Sequence, residues 1–350
     1  MLDFIDEELR EITSQGLYRH FRWVEGHQGP KITIDGKECI NLCSNNYLGL
    51  ANNPRLKQAA IEAIQKYGAG SGASRLVCGN LKLYKELENR LARFKKQEAS
   101  LVFNSGYVAN LGIITALVGR GDIVFSDRLN HASIIDGILL SRAEFKRYPH
   151  KDMTALEKFL ATAKVYKRRL IVTDTVFSMD GDIAPLQEIV NLAKRFNAMV
   201  MVDEAHATGV FGETSSGVVE YFGLKGEIDI EMGTLSKALG CFGGYVCGKK
   251  KLIEYLINKS RPFIYTTALP PSILASGVVA IDILEKEKWL QNTLWKNVLL
   301  LKKGLIDLGF NIMNSESQII PILIGESDKA AEFSQLLLEE GVFIQATTKS

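Results

Sequence analysis

A lysine, an aspartate and a histidine carry the strongest chemical signal in the chain. Lys237 stands among small residues, 34 positions after Asp203 and 31 after His206. Asp203 and His206 follow the apolar run 200–202, which predicts a buried strand that delivers an acid and an imidazole into a cleft. A lysine can bond to an aldehyde, an aspartate can keep a pyridine nitrogen protonated, and a histidine can bond a phenolic oxygen. The set therefore indicates a site for pyridoxal phosphate (PLP).

Each segment has a plainer interpretation when it is taken alone. The run from Asp203 to His206 is also typical of a solvated loop or of a pair of metal ligands, and a lysine between glycines is often an exposed loop residue. No further cluster of histidines and acids has ligand spacing, so we expect no metal site. The order and spacing of the two segments together favour the PLP interpretation.

Other residues suit the remaining parts of such a cofactor. Gly106 follows Ser105 at the predicted start of a helix, where free backbone N–H groups bind phosphate, although this pair is also common in capping turns. Thr234 can offer a hydroxyl to the phosphate, and Ser178 can bond the ring oxygen. His131 is either stacked on the ring or a structural histidine at a helix start.

Composition and charge exclude several classes of protein. The 350 residues are 46% hydrophobic and 23% charged, as in an ordinary globular protein. A net charge of +2, with scattered basic residues, argues against a nucleic-acid partner. The N-terminus lacks signal-peptide features, no apolar run reaches the ~20 residues that span a bilayer, and the five cysteines show no disulfide spacing. We therefore expect a soluble, cytoplasmic protein with no membrane partner.

The first hundred residues carry clear local signals. Residues 1–28 are expected to form a helical arm, and residues 31–42 alternate around an Asp-Gly turn, which predicts a β-hairpin. A helix is expected after Asn53 and Pro54, and a second helix over 81–95 follows a glycine-rich loop.

From residue 99 onward, short apolar strands alternate with helices. This pattern predicts an α/β fold with a mostly parallel sheet, covered by helices on both faces. A final strand over 243–248 follows too closely for a crossover helix, so we expect it to be antiparallel. Residues 271–309 are helix-rich, and a strand, a helix and a strand are expected after them. The expected organisation is an arm and hairpin over 1–40, a large PLP-binding domain over 41–270 and a smaller α+β domain over 271–350.

Five motifs together resemble the α-oxoamine synthases, which are fold-type I PLP enzymes that condense an amino acid with an acyl-CoA and release carbon dioxide. The motifs are Ser44–Leu50, Gly70–Arg75, Val176–Asp182, Asp203–His206 and Gly233–Lys237. The resemblance extends over residues 10–346. It implies PLP as the cofactor and a homodimer with active sites shared between subunits.

The resemblance also implies a role for each matched residue. Lys237 would carry the cofactor and take the α-proton of the amino acid, while Asp203, His206 and His131 complete the catalytic set. The implied cofactor-binding residues are Gly106, Tyr107, His131, Ser178, Asp203, His206, Thr234, Lys237, Thr266 and Thr267, with Thr266 or Thr267 reaching the phosphate from the other subunit. Arg19, Asn45 and His131 would face the substrate.

Two segments favour one branch of this family. Asp180–Leu186 and Phe263–Pro271 are closer to the branch that joins L-alanine to pimeloyl-CoA, or to a pimeloyl-carrier protein, in biotin biosynthesis. One alternative is the branch that uses glycine and acetyl-CoA. Another is an impaired, truncated paralogue that acts only as a dimer subunit.

The family pattern continues beyond Thr347, with an arginine that grips the carboxylate of the amino acid. Its absence leads us to expect an incomplete small domain and weaker substrate binding, unless Arg19 or Arg75 takes over. A bidentate arginine clamp is poorly replaced by lysine.

Overall fold

A computed structural model describes residues 2–15 and 18–347. Residues 348–350, where the family pattern was expected to break off, lie outside the described residues. The helices are α1 (Phe4–Ser14), α2 (Pro54–Tyr67), α3 (Lys82–Lys95), α4 (Gly106–Leu117), α5 (Ala132–Ser141), α6 (Met153–Thr162), α7 (Leu186–Phe196), α8 (Val218–Tyr221), α9 (Lys250–Lys259), α10 (Arg261–Ile264), α11 (Pro271–Lys286), α12 (Lys288–Asp307) and α13 (Ser327–Glu339). The strands are β1 (Val24–Glu25), β2 (Lys31–Ile34), β3 (Lys37–Asn41), β4 (Ala99–Phe103), β5 (Ile123–Asp127), β6 (Glu144–Tyr148), β7 (Arg169–Asp174), β8 (Met199–Asp203), β9 (Ile230–Thr234), β10 (Gly244–Gly248) and β11 (Val342–Phe343).

A seven-stranded sheet forms the centre of the molecule, in the order β4-β10-β9-β8-β7-β5-β6. Only β10 runs against its neighbours in this sheet, pairing antiparallel with β4 and β9. The mostly parallel sheet and the antiparallel final strand predicted from the sequence are therefore confirmed. The edge strand β6 was not predicted, because its residues are mostly charged.

The sheet is buried on both faces, as its apolar strands require. In β7, Leu170 and Val172 pack into one hydrophobic cluster, and Ile171 packs into the cluster on the opposite face. Helices cover these clusters, with α4 contacting β9 and β10 on one face and α3 contacting β4 and β10. Burial of both faces fixes the register of the strands, and hence the positions of the residues at their ends.

A second, four-stranded sheet has the order β1-β2-β3-β11. The predicted hairpin is formed by β2 and β3, and both turn residues have positive φ, 50° for Asp35 and 79° for Gly36. This matches the type I′ turn that favours Asp-Gly. The strand β11 joins the sheet by pairing parallel with β3.

The C-terminal part departs from expectation in one place. The strand expected after residue 309 is not formed, and Glu316 and Gln318 in this stretch bond instead to loops beside the large sheet. The helix α11 packs against α2 and α3. Within the described ranges, no helix is long and apolar enough to cross a membrane.

Candidate active site

The carboxyl ends of the strands bring the predicted catalytic residues together. Asp203 ends β8, and Thr234 ends β9 three residues before Lys237. Asp174 ends β7 and pairs in register with Asp203. Because parallel strands present their carboxyl ends at one edge, the acid, the imidazole of His206 and the amine meet there.

Lys237 and His206 are in direct contact. Nζ of Lys237 lies 2.7 Å from Nε2 of His206, and Nδ1 of His206 lies 2.7 Å from the hydroxyl of Tyr47. The Tyr47 hydroxyl donates to Oδ1 of Asn45 at 3.3 Å. Its oxygen can therefore accept from the Nδ1–H of a neutral His206, which leaves Nε2 to accept from Lys237. In this arrangement the lone pair of the lysine amine stays free.

Burial tunes the protonation of this group. It lowers the pKa of Lys237 below its ordinary value, although Asp203 and Asp174 oppose the effect. Burial and the charge of Lys237 also lower the pKa of His206 well below its usual range, so the imidazole is neutral at pH 7. Conversely, burial and the charge of Asp203 raise the pKa of Asp174 well above its usual range. The site thus favours a neutral imidazole and an amine that loses its proton readily.

Asp203 is buried and held by two donors. Its Oδ2 accepts from the side-chain amide of Asn110 at 2.8 Å, and its Oδ1 accepts from the backbone N–H of Ala205 at 2.8 Å. Asn110 also donates to the hydroxyl of Ser133 at 2.9 Å, which lies 2.8 Å from Nδ1 of His131. The carboxylate is therefore fixed in one orientation and connected to His131.

His131 lies at the N-terminal cap of α5, close to the same group. Its backbone N–H donates to Asp174 at 2.7 Å. Burial lowers the pKa of the His131 imidazole, while the charge of Asp203 raises it and that of Lys237 lowers it. His131 thus belongs to the same group as Asp203, His206 and Lys237.

The start of α4 faces the end of β9. Ser105 caps the helix and accepts from the N–H of Val108 at 3.2 Å, while the first N–H groups of the helix have no acceptor within it. A Cβ atom on Gly106 would lie 3.2 Å from Cε of Met232 and 3.6 Å from Cβ of Thr234. This close approach explains the glycine and leaves backbone donors for an anion.

Three further residues were expected to bind the phosphate, and each has a hydrogen-bond partner within the chain. They are Tyr107, Thr266 and Thr267. Tyr107 is exposed, and its hydroxyl donates to Asp136. The Asn104 amide donates to Oγ1 of Thr266 at 3.2 Å and to the carbonyl of Thr267 at 3.0 Å, in the same chain. Both threonines therefore lie near the start of α4 of the same chain.

Of the residues expected to contact the substrate, Asn45 lies close to Lys237. Asn45 and Lys237 line one cavity of about 350 Å³. Ser178 is half-buried in the turn at 178–180, and Arg19 is exposed. Arg75 binds both carboxylate oxygens of Glu88, at 2.6 and 3.0 Å, so its guanidinium is already engaged.

A buried ion pair supports the turn after β8. Glu204, the residue after Asp203, accepts a hydrogen bond from the amine of Lys95, and both side chains are fully buried. Lys95 also donates to Oγ1 of Thr208 at 3.0 Å and to the carbonyl of Ser216 at 2.6 Å. All three ammonium protons are thus satisfied around the turn.

Residues 315–319, here called the strap, tie two loops of the site together. The N–H of Glu316 donates to the carbonyl of Gly181 at 2.9 Å, and its carboxylate accepts from the N–H of Ile183 at 3.1 Å. From the same strap, Nε2 of Gln318 donates to the carbonyl of His206 at 2.8 Å. The strap therefore links the loop that carries Ser178 with the loop that carries His206.

His150 is half-buried beside this strap. Its Nδ1 lies 2.9 Å from Asp127, and its Nε2 lies 2.8 Å from Asp182. Burial acts to lower the pKa of His150, but the two carboxylates raise it to about 9. The imidazolium therefore bridges two strand-end loops at neutral pH.

Sequence patterns missed several residues of the site. Asp174 ends an apolar strand, as Asp203 does, and this position is the feature of the sequence that could have indicated it as a site residue. Tyr47 lies in a matched motif, but nothing in its spacing indicates a contact 159 positions away with His206. Asn110 and Gln318 carry no local signal, because their partners are distant in sequence.

Comparison with known proteins gives consistent matches over almost the whole chain. The family model described as aminotransferase class I and II matches residues 37–349. The 8-amino-7-oxononanoate synthase of Geobacter sulfurreducens is 55% identical over 340 residues, which are 97% of this chain and 87% of that protein. The protein of the same name from Thermoanaerobacter pseudethanolicus is 54% identical, over 98% of this chain and 87% of that protein.

Solved structures agree with this result. A serine palmitoyltransferase from S. paucimobilis, with a bound PLP–myriocin aldimine, has a TM-score of 0.92 at 36% identity, and the match covers 98% of this chain and 90% of that one. An 8-amino-7-oxononanoate synthase from Francisella tularensis has a TM-score of 0.78 at 29% identity, covering 89% of each chain. The fold is therefore that of the fold-type I PLP transferases, as predicted.

Proposed function

Because the chain belongs to the aminotransferase class I and II family and, within it, to the α-oxoamine synthases, we propose that it joins L-alanine to a pimeloyl thioester. The new carbon–carbon bond forms at the alanine α-carbon, the thiol of coenzyme A or of a carrier protein leaves, and the alanine carboxylate departs as carbon dioxide. The product is 8-amino-7-oxononanoate, an intermediate of biotin biosynthesis. The observation that carries the proposal is the contact between Lys237 and His206 beside the buried Asp203.

The cofactor is pyridoxal phosphate, and the residues at the strand ends fit it. A buried carboxylate on Asp203, a half-buried amine on Lys237 and free N–H groups at the start of α4 match its pyridine nitrogen, aldehyde and phosphate. When bound, the protonated ring withdraws electrons from the α-carbon of the substrate and so makes its proton acidic.

Lys237 would bond the cofactor and then act as the base. Burial lowers the pKa of its amine, and a general base works best when its pKa lies near the working pH. Because Nε2 of His206 can accept an N–H of the amine, the lone pair can point toward the α-proton.

Asp203 would hold the proton on the pyridine nitrogen. The hydrogen bonds from Asn110 and Ala205 fix its carboxylate, so no reorientation is needed when charge develops on the ring. His206 and Ser178 would bond the phenolic oxygen, and His131 would cover the ring face.

The phosphate would lie at the start of α4. The backbone N–H groups of Gly106 and Tyr107 would bind it. The Tyr107 side chain would not take part, because its hydroxyl already donates to Asp136. The Thr234 hydroxyl donates to the carbonyl of Gly243 at 2.7 Å and would turn from it to donate to the phosphate. Thr266 or Thr267 of the partner chain would complete the site in a homodimer.

Asn45 would contact the amino acid from the cavity that it shares with Lys237. Arg19, which is exposed, would reach the substrate from the N-terminal arm. We also propose that the protein works in the cytoplasm, and that residues 1–40, 41–270 and 271–350 form its arm and hairpin, its large domain and its small domain.

The test is thiol release by the purified chain loaded with PLP, compared for two substrate pairs. Pimeloyl-CoA with L-alanine should release free thiol, and acetyl-CoA with glycine should not. Lys237→Ala should abolish release, whereas Lys251→Ala, at an exposed lysine of α9, should leave it unchanged. Release with the second pair alone would overturn the proposed substrates.

A further inference from the structure

The side-chain amide of Gln318 touches two members of the hydrogen-bond chain that ends at Lys237. One N–H of the amide donates to the backbone carbonyl of His206 at 2.8 Å. The same amide acts on the Tyr47 hydroxyl, lowering its pKa against the effect of burial, and the oxygen of that hydroxyl lies 2.7 Å from Nδ1 of His206. Gln318 therefore bonds directly to the backbone of His206 and lies beside the group that contacts its ring.

We infer that Gln318 is a positioning residue, which sets the orientation and tautomer of His206 and, through its ring, the amine of Lys237. The inference rests on the proposed function and names a further residue for it. With the backbone carbonyl held, the His206 loop cannot swing away from the cofactor side. With that backbone held, Nδ1–H stays directed at the Tyr47 oxygen, so that Nε2 faces Lys237 as an acceptor.

The strap makes this contact rigid. Glu316 fixes the strap to the loop at 181–183 through its backbone and its carboxylate. A Cβ atom on Gly181 would lie 2.2 Å from the carbonyl oxygen of Ile319, so the strap and that loop are in close contact. Gln318 is thus delivered from an anchored segment rather than from a free loop.

The other end of the amide points to the same conclusion. Oε1 of Gln318 is buried and has no hydrogen-bond partner among the described residues. An unpaired buried acceptor lowers stability, whereas an apolar side chain of similar size would not. The amide is therefore useful at this position for the hydrogen bond that it donates to the carbonyl of His206.

Gln318→Met tests the inference, since methionine has similar length and no donor. The holoenzyme is titrated with pH while the visible absorbance of PLP bound to Lys237 is followed. Steady-state kcat and KM for L-alanine are measured beside it. We expect the absorbance midpoint to shift by about half a pH unit or more, and kcat to fall about five-fold with KM within two-fold, which corresponds to the loss of an ordinary hydrogen bond.

Glu316→Gln is the matched control, because it removes the charge that faces Lys151 while its amide oxygen can still accept from the N–H of Ile183, so the strap stays anchored. It should lower the temperature of unfolding and leave the absorbance midpoint and kcat unchanged. An equal shift of the midpoint in both variants would assign the effect to the strap as a whole and overturn the role of Gln318, as would an unchanged midpoint and kcat in Gln318→Met. If Gln318→Met does not fold, Gln318→Asn, which keeps the amide on a shorter stem, is judged by the same criteria.

The absorbance titration also separates this inference from the proposed function. It requires PLP on Lys237 but no particular substrate. A wild-type protein that shows the absorbance and does not turn over L-alanine with a pimeloyl thioester contradicts the proposed substrates, while the midpoint shift still decides the role of Gln318.

Discussion

Lys95→Met should destabilise the folded protein by about 3–5 kcal/mol, because it leaves a buried carboxylate without its cation. Both Lys95 and Glu204 have no exposed side-chain surface. Burial acts to lower the pKa of Lys95, yet Glu204 and nearby acids hold it above its ordinary value, so the pair is charged in the folded state. The variant also removes the bonds to Thr208 and to the carbonyl of Ser216.

The assay is denaturant unfolding of the variants at constant pH, with the slope of the transition checked for change. In the double variant, Glu204→Gln removes the stranded charge, and the amide oxygen can still accept from the N–H of Val219, as Glu204 does at 2.8 Å. The double variant should therefore recover at least about 2 kcal/mol relative to Lys95→Met. Lys96→Met, whose side chain is 58% exposed, is the control and should cost about 0.5 kcal/mol or less.

Two outcomes would refute this reasoning. One is a Lys95→Met variant no less stable than Lys96→Met. The other is a double variant that is no more stable than Lys95→Met alone, since the charge of Glu204 would then not be the source of the loss.

Three further predictions concern the loops around the site. Gly181→Ala should cost about 1–3 kcal/mol more in unfolding free energy than Gly223→Ala. The two glycines have similar φ angles, 71° and 69°, but only a Cβ atom on Gly181 would meet the strap. Equal losses in the two variants would contradict this prediction. The pKa of His150 is raised to about 9 in the folded protein, so the stabilisation of the fold by the protonated His150 is complete below the unfolded pKa of about 6.5 and is lost as the pH rises through 9. The free energy of unfolding measured from pH 6 to 10 should show this loss. The His150→Gln variant should not show it. The pKa of Asp174 is raised well above its usual range by burial and by the charge of Asp203, which favours its neutral form, so Asp174→Asn should keep most of the thiol-release activity. Asp203→Asn should reduce that activity by about a hundredfold or more, and similar losses in both variants would oppose the assigned roles.

The sequence predicted the parts of the molecule whose causes are local. Apolar strands mark a sheet that is buried on both faces, and residues at their carboxyl ends must share one edge, which is why Asp203, His206 and Lys237 could be placed together. The turn at Asp35 and Gly36 was predictable for the same reason, since its backbone angles depend on those two residues.

Features with distant causes were not predictable. The edge strand β6 is mostly charged and lacks the apolar signal of its neighbours. The strand expected after residue 309 was wrong, because Glu316 and Gln318 bond to loops more than a hundred positions away. His150 carries no local signal of its bridging position, since its two aspartates come from different loops.

The pairing of β11 with β3 has a consequence for the newly made chain. Val342 pairs with Ile40, so about 300 further residues must be synthesised after the hairpin before β11, the neighbour of β3, exists. At about 5–20 residues per second, that delay is roughly 15–60 s during synthesis. The outer edge of β3 is unpaired during this time and can join a strand of another chain. The hairpin is therefore where we expect a chaperone to be needed most.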